Sequence, residues 1–387
     1  MHKYPYINNT QVKFLEKYTM DDVYIETELY YKKILNGIVF PNEAHYNTWT
    51  IKGGVLESNG SYVESSVFSL DPDAIKEIET KKITLQCSVN KDQIVIYVGQ
   101  LYHVFGHAIT DNLSKVWFLF TPIGKELLKN GAKIVYTIIE NREEPAYFNE
   151  LFNLIGIAKE NRIQIKEPTQ FTTIYIPDSS LFTQEKGGFQ YKCYTNEFKQ
   201  TIDIVKENAL SKPINLEPLT KIYLTRTRLR QLKRDFNETE VESFFKSKGY
   251  DVISPEKFSI QQQIFLLNSA KTVAVTEGSI SLLTMFCQPR TSVQLLLKCN
   301  WINDYQICVN HMTNINYEYI TIHKSHKCDK IQPYLGPFFM YKSPQLLRWS
   351  GHNNIFSLFW IKKSFWDYIN PYWWRVIKKY IIKNESV

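Results

Sequence analysis

Residues 221–289 read KIYLTRTRLRQLKRDFNETEVESFFKSKGYDVISPEKFSIQQQIFLLNSAKTVAVTEGSISLLTMFCQP, and the fold is decided by them. A short apolar strand, Ile222-Tyr223-Leu224, runs at once into Arg226, Arg228, Arg230, Lys233 and Arg234. The next segment is an amphipathic helix with Val241, Phe244 and Phe245 on one face, for which Asn237 is the expected cap and Glu240 its capping-box partner. Lys248-Gly249 ends that helix. Residues 251–253 then read as a second strand, 259–269 as a second helix and 272–275 as a third strand. Strands alternating with helices at this spacing predict a parallel α/β sheet.

Ligands of such sheets sit at the carboxyl ends of the strands. Those ends carry the Arg/Lys cluster after the first strand and Thr276-Glu277-Gly278-Ser279 after the third. A helix expected over 281–287 would turn its free N–H groups and positive dipole end toward an anion. Phosphate suits Arg226, Arg228 and Lys233 together with Gly278 and Ser279. Glu277 would repel phosphate and suits sugar or ribose hydroxyls instead. Taken jointly, these residues point to a nucleotide-sugar pocket. Each half alone reads equally well as a solvated basic loop or an ordinary Gly-Ser turn.

The run K-I-Y-L-T-R-x-R (221–228), then N-E-x-E-V (237–241), K-G-Y-D-V-I-S-P-E (248–256) and Gly278-Ser279 resembles the carboxyl-terminal half of glycosyltransferase family 61. The resemblance covers about a fifth of the chain and is to the capsule- and lipopolysaccharide-type bacterial branch. Where the family usually has a Gly-His-Gly-Ala-type turn, this chain has Glu277-Gly278-Ser279-Ile280. The resemblance implies the GT-B fold, two Rossmann-like α/β domains facing a cleft. It also implies a nucleotide-sugar donor, which is a substrate and not a cofactor, with a uracil base expected and cytidine left open.

A second informative stretch is YVGQLYHVFGHAITDNLSKVWFLF at 97–120. It reads as a strand, a turn at Gly99 and one helix on which His103, His107 and Asp111 recur every four residues and share a face. His103 and Asp111 are then about 12 Å apart along the axis, too far to share one metal ion. The stripe serves either catalysis or a face turned to water. It is similar to the family's amino-terminal G-H-x-x-x-acid signature, which carries His107 and Asp111 over as that signature's histidine and acid. His103 has no counterpart there.

The chain has 387 residues, 44% of them hydrophobic and 14% aromatic, enough for two cores. The first residues lack the apolar stretch of a signal peptide, and no apolar run approaches the ~18 residues that span a bilayer. Six cysteines without a C-x-x-C pair suit a reducing cytosol. The net charge is +7, and residues 342–387 hold eight cations against two carboxylates together with five of the eight tryptophans. A basic amphipathic helix from about Pro371 is expected there, either lying on an anionic membrane or crossing back to the amino-terminal domain.

Short strands broken by Gly53-Gly54 and Asn59-Gly60 are expected over 38–68. Asp71-Pro72-Asp73 reads as a helix cap, with a metal-binding Asp-x-Asp as its rival. Further strands are expected at 83–87, 93–98, 131–139, 162–165, 172–176 and 292–297, and helices at 145–155, 197–208 and 300–313. His311, His323 and His326 read as surface histidines of loops. The polar stretch 211–218 divides an acceptor-side domain, 1–210, from a donor-binding domain, 219–340, followed by a helical tail, 341–387.

The expectation is a cytoplasmic, metal-independent, inverting glycosyltransferase, peripheral on the inner membrane face, that passes a sugar to a hydroxyl of a surface glycan or glycolipid. Arg226, Arg228 and then Lys233 face the diphosphate, and Asp111 or His107 is the general base. The alternative is a non-catalytic protein that binds anionic lipid or nucleic acid through the basic loop and tail. Modest total charge and loop cations confined behind one strand argue against nucleic acid.

Overall fold

The computed structural model describes residues 4–18, 22–45, 50–66, 89–139, 142–229, 235–323, 336 and 338–352. Asp71-Pro72-Asp73, the strand at 83–87, Lys233, His326 and the tail from 353 onward lie outside these residues. The first sheet contains β1 (Tyr31–His45), β2 (Thr50–Leu56), β3 (Val89–Leu101), β4 (Lys133–Ile138), β5 (Arg162–Gln164) and β6 (Thr169–Pro177), in the order β2-β1-β6-β3-β4-β5. β3 to β6 are mutually parallel, and the chain reverses its direction of travel across the sheet between β3 and β6. β1 is antiparallel to both β2 and β6.

The break expected at Gly53-Gly54 does not occur. β2 runs through both glycines at φ 140° and 118°, opposite a register shift between Phe40 and Glu43 of β1. That shift spans Pro41, which has no N–H to give a ladder. Asn59-Gly60 does form a tight turn, closed by Glu57 N donating to Ser61 O at 2.8 Å. A two-stranded antiparallel ribbon, β7 (Leu181–Lys186) and β8 (Phe189–Tyr194), follows the first sheet and turns at Gly187-Gly188.

The second sheet is the parallel one read from residues 221–289. It contains β9 (Lys221–Leu224), β11 (Asp251–Ile253), β12 (Thr272–Thr276), β13 (Ser292–Leu297) and β14 (Asn316–Thr321), in the order β11-β9-β12-β13-β14. Every pair is parallel, and the topological switch falls between β9 and β12. A short strand β10 (Asp235–Phe236) pairs in parallel with β15 (Phe338–Phe339) beside it.

Side-chain alternation sorts this sheet into two faces, as the period of a strand requires. Ile222, Leu224, Val273, Val275, Val293, Leu295 and Leu297 enter one apolar layer. Tyr223, Ala274, Leu296 and Ile320 enter another. The first layer also takes Ile96, Val98, Ile134 and Ile138 from the first sheet. Between the sheets it holds Phe148 and Phe152 of the helix Ala146–Ile155, Phe198 and Ile202 of Asn196–Leu210, and Ile264 and Leu267 of Ile260–Ser269. One apolar layer is therefore shared by both sheets. The connection at 211–218 has neither helix nor strand.

The outer layer is built on the helix Glu238–Ser247. Phe245 is fully buried, stacked on Tyr223 with centroids 5.2 Å apart, and edge-on to Phe244 and Tyr250. Its expected cap is absent. Asn237 takes a left-handed conformation at φ 66°, and its side chain donates to Met340 O at 2.9 Å instead of accepting from the helix. The helix Ile260–Ser269 carries the capping box, through Ser259 and Gln262. The helix expected over 300–313 starts later, at Asp304, and the segment Ser281–Phe286 is a 3-10 helix.

His311 and His323 are not loop residues of the surface. His311 lies on the helix Asp304–Thr313, its Nδ1 2.8 Å from the Tyr194 hydroxyl, and His323 is 4% exposed in a bridge to Met340. The beginning of the expected tail is a short helix, Pro344–Trp349, whose Leu346 is fully buried in the outer layer. No helix of the described residues is long and apolar enough to cross a membrane.

Replacing Phe245 with alanine removes the ring on which Tyr223, Phe244 and Tyr250 pack. Urea unfolding of Phe245→Ala should show a loss of about 3–5 kcal/mol. A loss below about 1 kcal/mol would mean that this layer is not part of the cooperative core.

Candidate active site

β3 does not turn at Gly99. It continues to Leu101 through a register shift against β4 between Tyr97 and Gln100, with Gly99 at φ 104°, so the glycine marks a bulge. The single helix expected beyond it is also broken. Its regular part is only Phe105–Ile109, Thr110 departs at φ −117° and ψ −87°, and Asp111–Leu113 is a 3-10 turn. Side chains take over the backbone groups that a longer helix would have used. Thr110 Oγ1 donates to Gly106 O at 2.9 Å, Ser114 Oγ to Asp111 O at 2.8 Å, and Asn112 pairs with both the N–H and the C=O of Tyr102. His103 precedes the helix, and its carbonyl accepts from the Tyr147 hydroxyl.

The break nevertheless leaves His107 and Asp111 in contact, Nδ1 lying 2.5 Å from Oδ2. The two side chains differ in exposure, 35% for His107 and 5% for Asp111. Burial pushes the Asp111 carboxyl up, but the hydrogen bond and charge of His107, the charge of Lys192 and the Tyr305 hydroxyl together hold it below its ordinary value. An ionised carboxylate only accepts, so Nδ1 carries the proton of the 2.5 Å bond, and Nε2 is the nitrogen left to accept another. Tyr102 lies against the imidazole with ring centroids 4.7 Å apart, and Tyr305 stands edge-on to it at 5.9 Å.

A second cluster gathers at the carboxyl ends of three neighbouring strands: Arg226 beyond β9, Glu277-Gly278-Ser279 after β12 and Lys298 after β13. Asp235 ties the two cations together, Oδ1 lying 3.0 Å from Lys298 Nζ and Oδ2 3.5 Å from Arg226 Nη1. Two cations share this one carboxylate in a place where both are at most one-tenth exposed. Gly278, at φ 137°, brings the backbone beside them. A Cβ there would stand 3.6 Å from Arg226 Nη1 and 3.8 Å from Lys298 Nζ. The Arg226 loop is held from below, its N–H donating to Glu238 Oε1 at 2.9 Å, with the Thr225 and Thr227 hydroxyls on Glu242.

The residues expected at the site are distributed as follows. Arg226, Gly278 and Ser279 come together, whereas Arg228 is on an exposed turn and Lys233 lies outside the described residues. Glu277 is 3% exposed, and its Oε1 accepts from Asn303 N at 2.8 Å. Burial pushes its carboxyl up to about 8, against the pull of Asn303 and Lys298. The N–H groups expected to be free at 281 are engaged, since Ser281 N donates to Gly278 O at 3.0 Å and Gly278 N to Ser281 Oγ at 3.2 Å.

Lys298, Asp235, Asn303 and Tyr305 are site residues that sequence reasoning missed. Lys298 was findable, since it ends an apolar strand as the Arg226 loop does. Tyr305 gave no signal, because its partner is 194 residues away.

The two clusters meet at two points. Gly106 faces Ser279 so closely that a Cβ on it would fall 2.7 Å from Ser279 Oγ and 3.2 Å from Ser279 Cα, and the latter is backbone that cannot swing aside. Below that contact, Glu277 holds Asn303, Asn303 Oδ1 accepts from Tyr305 N at 3.1 Å, and the Tyr305 hydroxyl lies 2.8 Å from both oxygens of Asp111. Among the described residues no three His, Cys, Asp or Glu side chains are grouped to hold a metal ion.

The carboxyl ends of strands are where parallel α/β sheets bind ligands, and the charged groups gather there in this mixed α/β protein. Residues 105–294 match the family described as Glycosyltransferase 61. The match begins on the helix that carries His107 and ends within β13, and it supports glycosyltransferase activity. No curated protein matches the chain.

Glu277 sets a pH dependence of stability. Its carboxyl titrates higher in the folded than in the unfolded chain, so the folded state holds the extra proton between the two values, and its contribution is lost as pH rises toward about 8. Thermal unfolding between pH 5 and 8 should show this fall in the natural chain and a flatter profile in Glu277→Gln, whose carbonyl still accepts from Asn303. Parallel profiles would rule out a protonated Glu277.

Proposed function

We propose that the protein is an inverting, metal-independent glycosyltransferase that moves a sugar from a nucleotide-diphosphate donor, expected to be a uracil nucleotide, to a hydroxyl of a surface glycan. The observation that carries this reading is the meeting of the Arg226–Lys298 cluster with the His107–Asp111 pair across the Gly106–Ser279 contact.

The leaving nucleoside diphosphate gains negative charge as the glycosidic bond breaks, and fixed cations at a partly buried site are the strongest stabilisation the protein can supply there. Arg226 and Lys298 fill that role. On the opposite side, His107 Nε2 takes the proton of the acceptor hydroxyl, the acceptor oxygen bonds to the anomeric carbon, and the bond to the diphosphate oxygen breaks with its electrons going to phosphate. One displacement with base and leaving group on opposite faces inverts the anomeric centre. Asp111, too well supplied with donors to be a good base, keeps the imidazole oriented and stabilises its charged form. The switch point of each sheet suits a GT-B arrangement. The cationic, tryptophan-rich residues 342–387 suit attachment to an anionic membrane face on the cytoplasmic side, where a capsule or lipopolysaccharide acceptor is built.

Donor turnover by Arg226→Ala should fall by about 100-fold or more, the loss expected for one donor to developing charge. His107→Ala should lower transfer by about 100- to 10,000-fold, the range for one general base, while donor binding, followed by thermal shift with uracil nucleotides, is retained. Normal turnover in Arg226→Ala would end the phosphate-site reading. Turnover should also persist in EDTA, since Arg226 and Lys298 supply the counter-charge that a metal otherwise brings; complete loss restored by a divalent cation would contradict this.

A further inference from the structure

Tyr305 lies beyond the residues that match the family, on the helix Asp304–Thr313, and yet it touches the pair at the centre of the site. We infer that Tyr305 is a positioning residue for transfer: its hydroxyl, shared between the two oxygens of Asp111, fixes the carboxylate that in turn aims His107. This inference rests on the reading of His107 as the base.

The Tyr305 ring packs against the apolar layer that the two sheets share, and its hydroxyl is turned to Asp111. Its hydroxyl has one proton and lies 2.8 Å from Oδ1 and 2.8 Å from Oδ2, so it bridges the carboxylate and resists rotation of the group about its own axis. Burial, with the charge of Asp111, pushes its phenol well above the ordinary value, and it remains a donor at every working pH. The ring itself is held at three places. The backbone N–H of Tyr305 is taken by Asn303 Oδ1 and by Asp304 Oδ1, both at 3.1 Å. Asn303 is held in turn by Glu277, which links the ring to the loop beside Arg226 and Lys298. Lys192 of β8 places its ammonium 4.7 Å from the ring centroid, where a cation draws charge from the ring and strengthens the hydroxyl as a donor. The Lys192 carbonyl accepts from Cys308 Sγ on the same helix, so the ribbon and the ring move as one piece.

The titratable and charged groups that face the pair are Tyr102 from the end of β3, Lys192 from β8, and Asp304 and Tyr305 from the helix. Loss of the Tyr305 proton donor or of the Lys192 charge leaves Asp111 more basic. Asp111 then holds the protonated imidazole more strongly, and the base is freed only at higher pH.

The test measures kcat, donor KM and kcat/KM against pH for the full chain, Tyr305→Phe, Lys192→Met, Lys192→Arg and His107→Ala. Tyr305→Phe should lower kcat by about 10- to 100-fold, the range for a hydrogen bond to a charged group, with donor KM within about twofold. Its acid limb should move up by about half a pH unit or more, as should that of Lys192→Met, while Lys192→Arg keeps the natural position. A merely structural tyrosine would lower activity without moving the limb. An unmoved limb in Tyr305→Phe, with a limb that disappears in His107→Ala, would overturn the inference and leave the base assignment standing. A limb that survives in His107→Ala would overturn the base assignment, and with it this role for Tyr305.

Discussion

A carboxylate that is only 4% exposed stays ionised only where donors and positive charge replace the water it has lost, and Asp111 is such a carboxylate. Its support, two hydrogen-bond donors and one charge, comes from three separate parts of the chain. His107 reaches it from one turn back, Tyr305 from the helix beyond the second sheet, and Lys192 supports it from the ribbon that joins the two sheets. Each of these is in place only if the element that carries it is packed correctly. The helix at 105–113 is broken, and His107 and Asp111 stay in contact across the break. Thr110, Asn112 and Ser114 instead spend their side chains on the turn.

The cationic cluster obeys the complementary constraint. Arg226 and Lys298 are too sheltered to stand alone, and Asp235 between them reduces their repulsion without cancelling their charge. A parallel sheet provides such an arrangement because each strand ends at the same edge, so residues far apart in sequence converge there. At Gly278 the backbone passes close to both cations, and a Cβ there would stand within 4 Å of each.

Four of the five strands of the second sheet were legible, all but β14, because their evidence is local. Apolar runs of four to six residues, helices of 3.6-residue period and a glycine at 249 occupy consecutive positions and are readable without knowing what they touch. The strand-end rule then located Arg226, Gly278 and Ser279. What was misread depended on distant partners. Asn237 was expected to cap its own helix, but Met340 O competes for its amide. Glu277 was expected to face sugar, but it is buried and its Oε1 accepts from the N–H of Asn303. His103, His107 and Asp111 have helical spacing, and no pattern in that stretch announces that Thr110 will break it. The bulge at Gly99 was read as a turn, since a positive φ serves either purpose.

The apolar layer between the sheets has a kinetic meaning. It draws Ile96 and Ile134 from one sheet, Val273 and Leu295 from the other, and the helices Ala146–Ile155, Asn196–Leu210 and Ile260–Ser269 from the chain between and beyond them. Contacts of such wide sequence separation raise the contact order, and folding slows accordingly because long loops must close before any of that burial is gained. The last helix to complete the layer is also the one that brings Tyr305 to Asp111. A nascent chain therefore leaves Asp111 without its Tyr305 partner until most of the described fold has been synthesised.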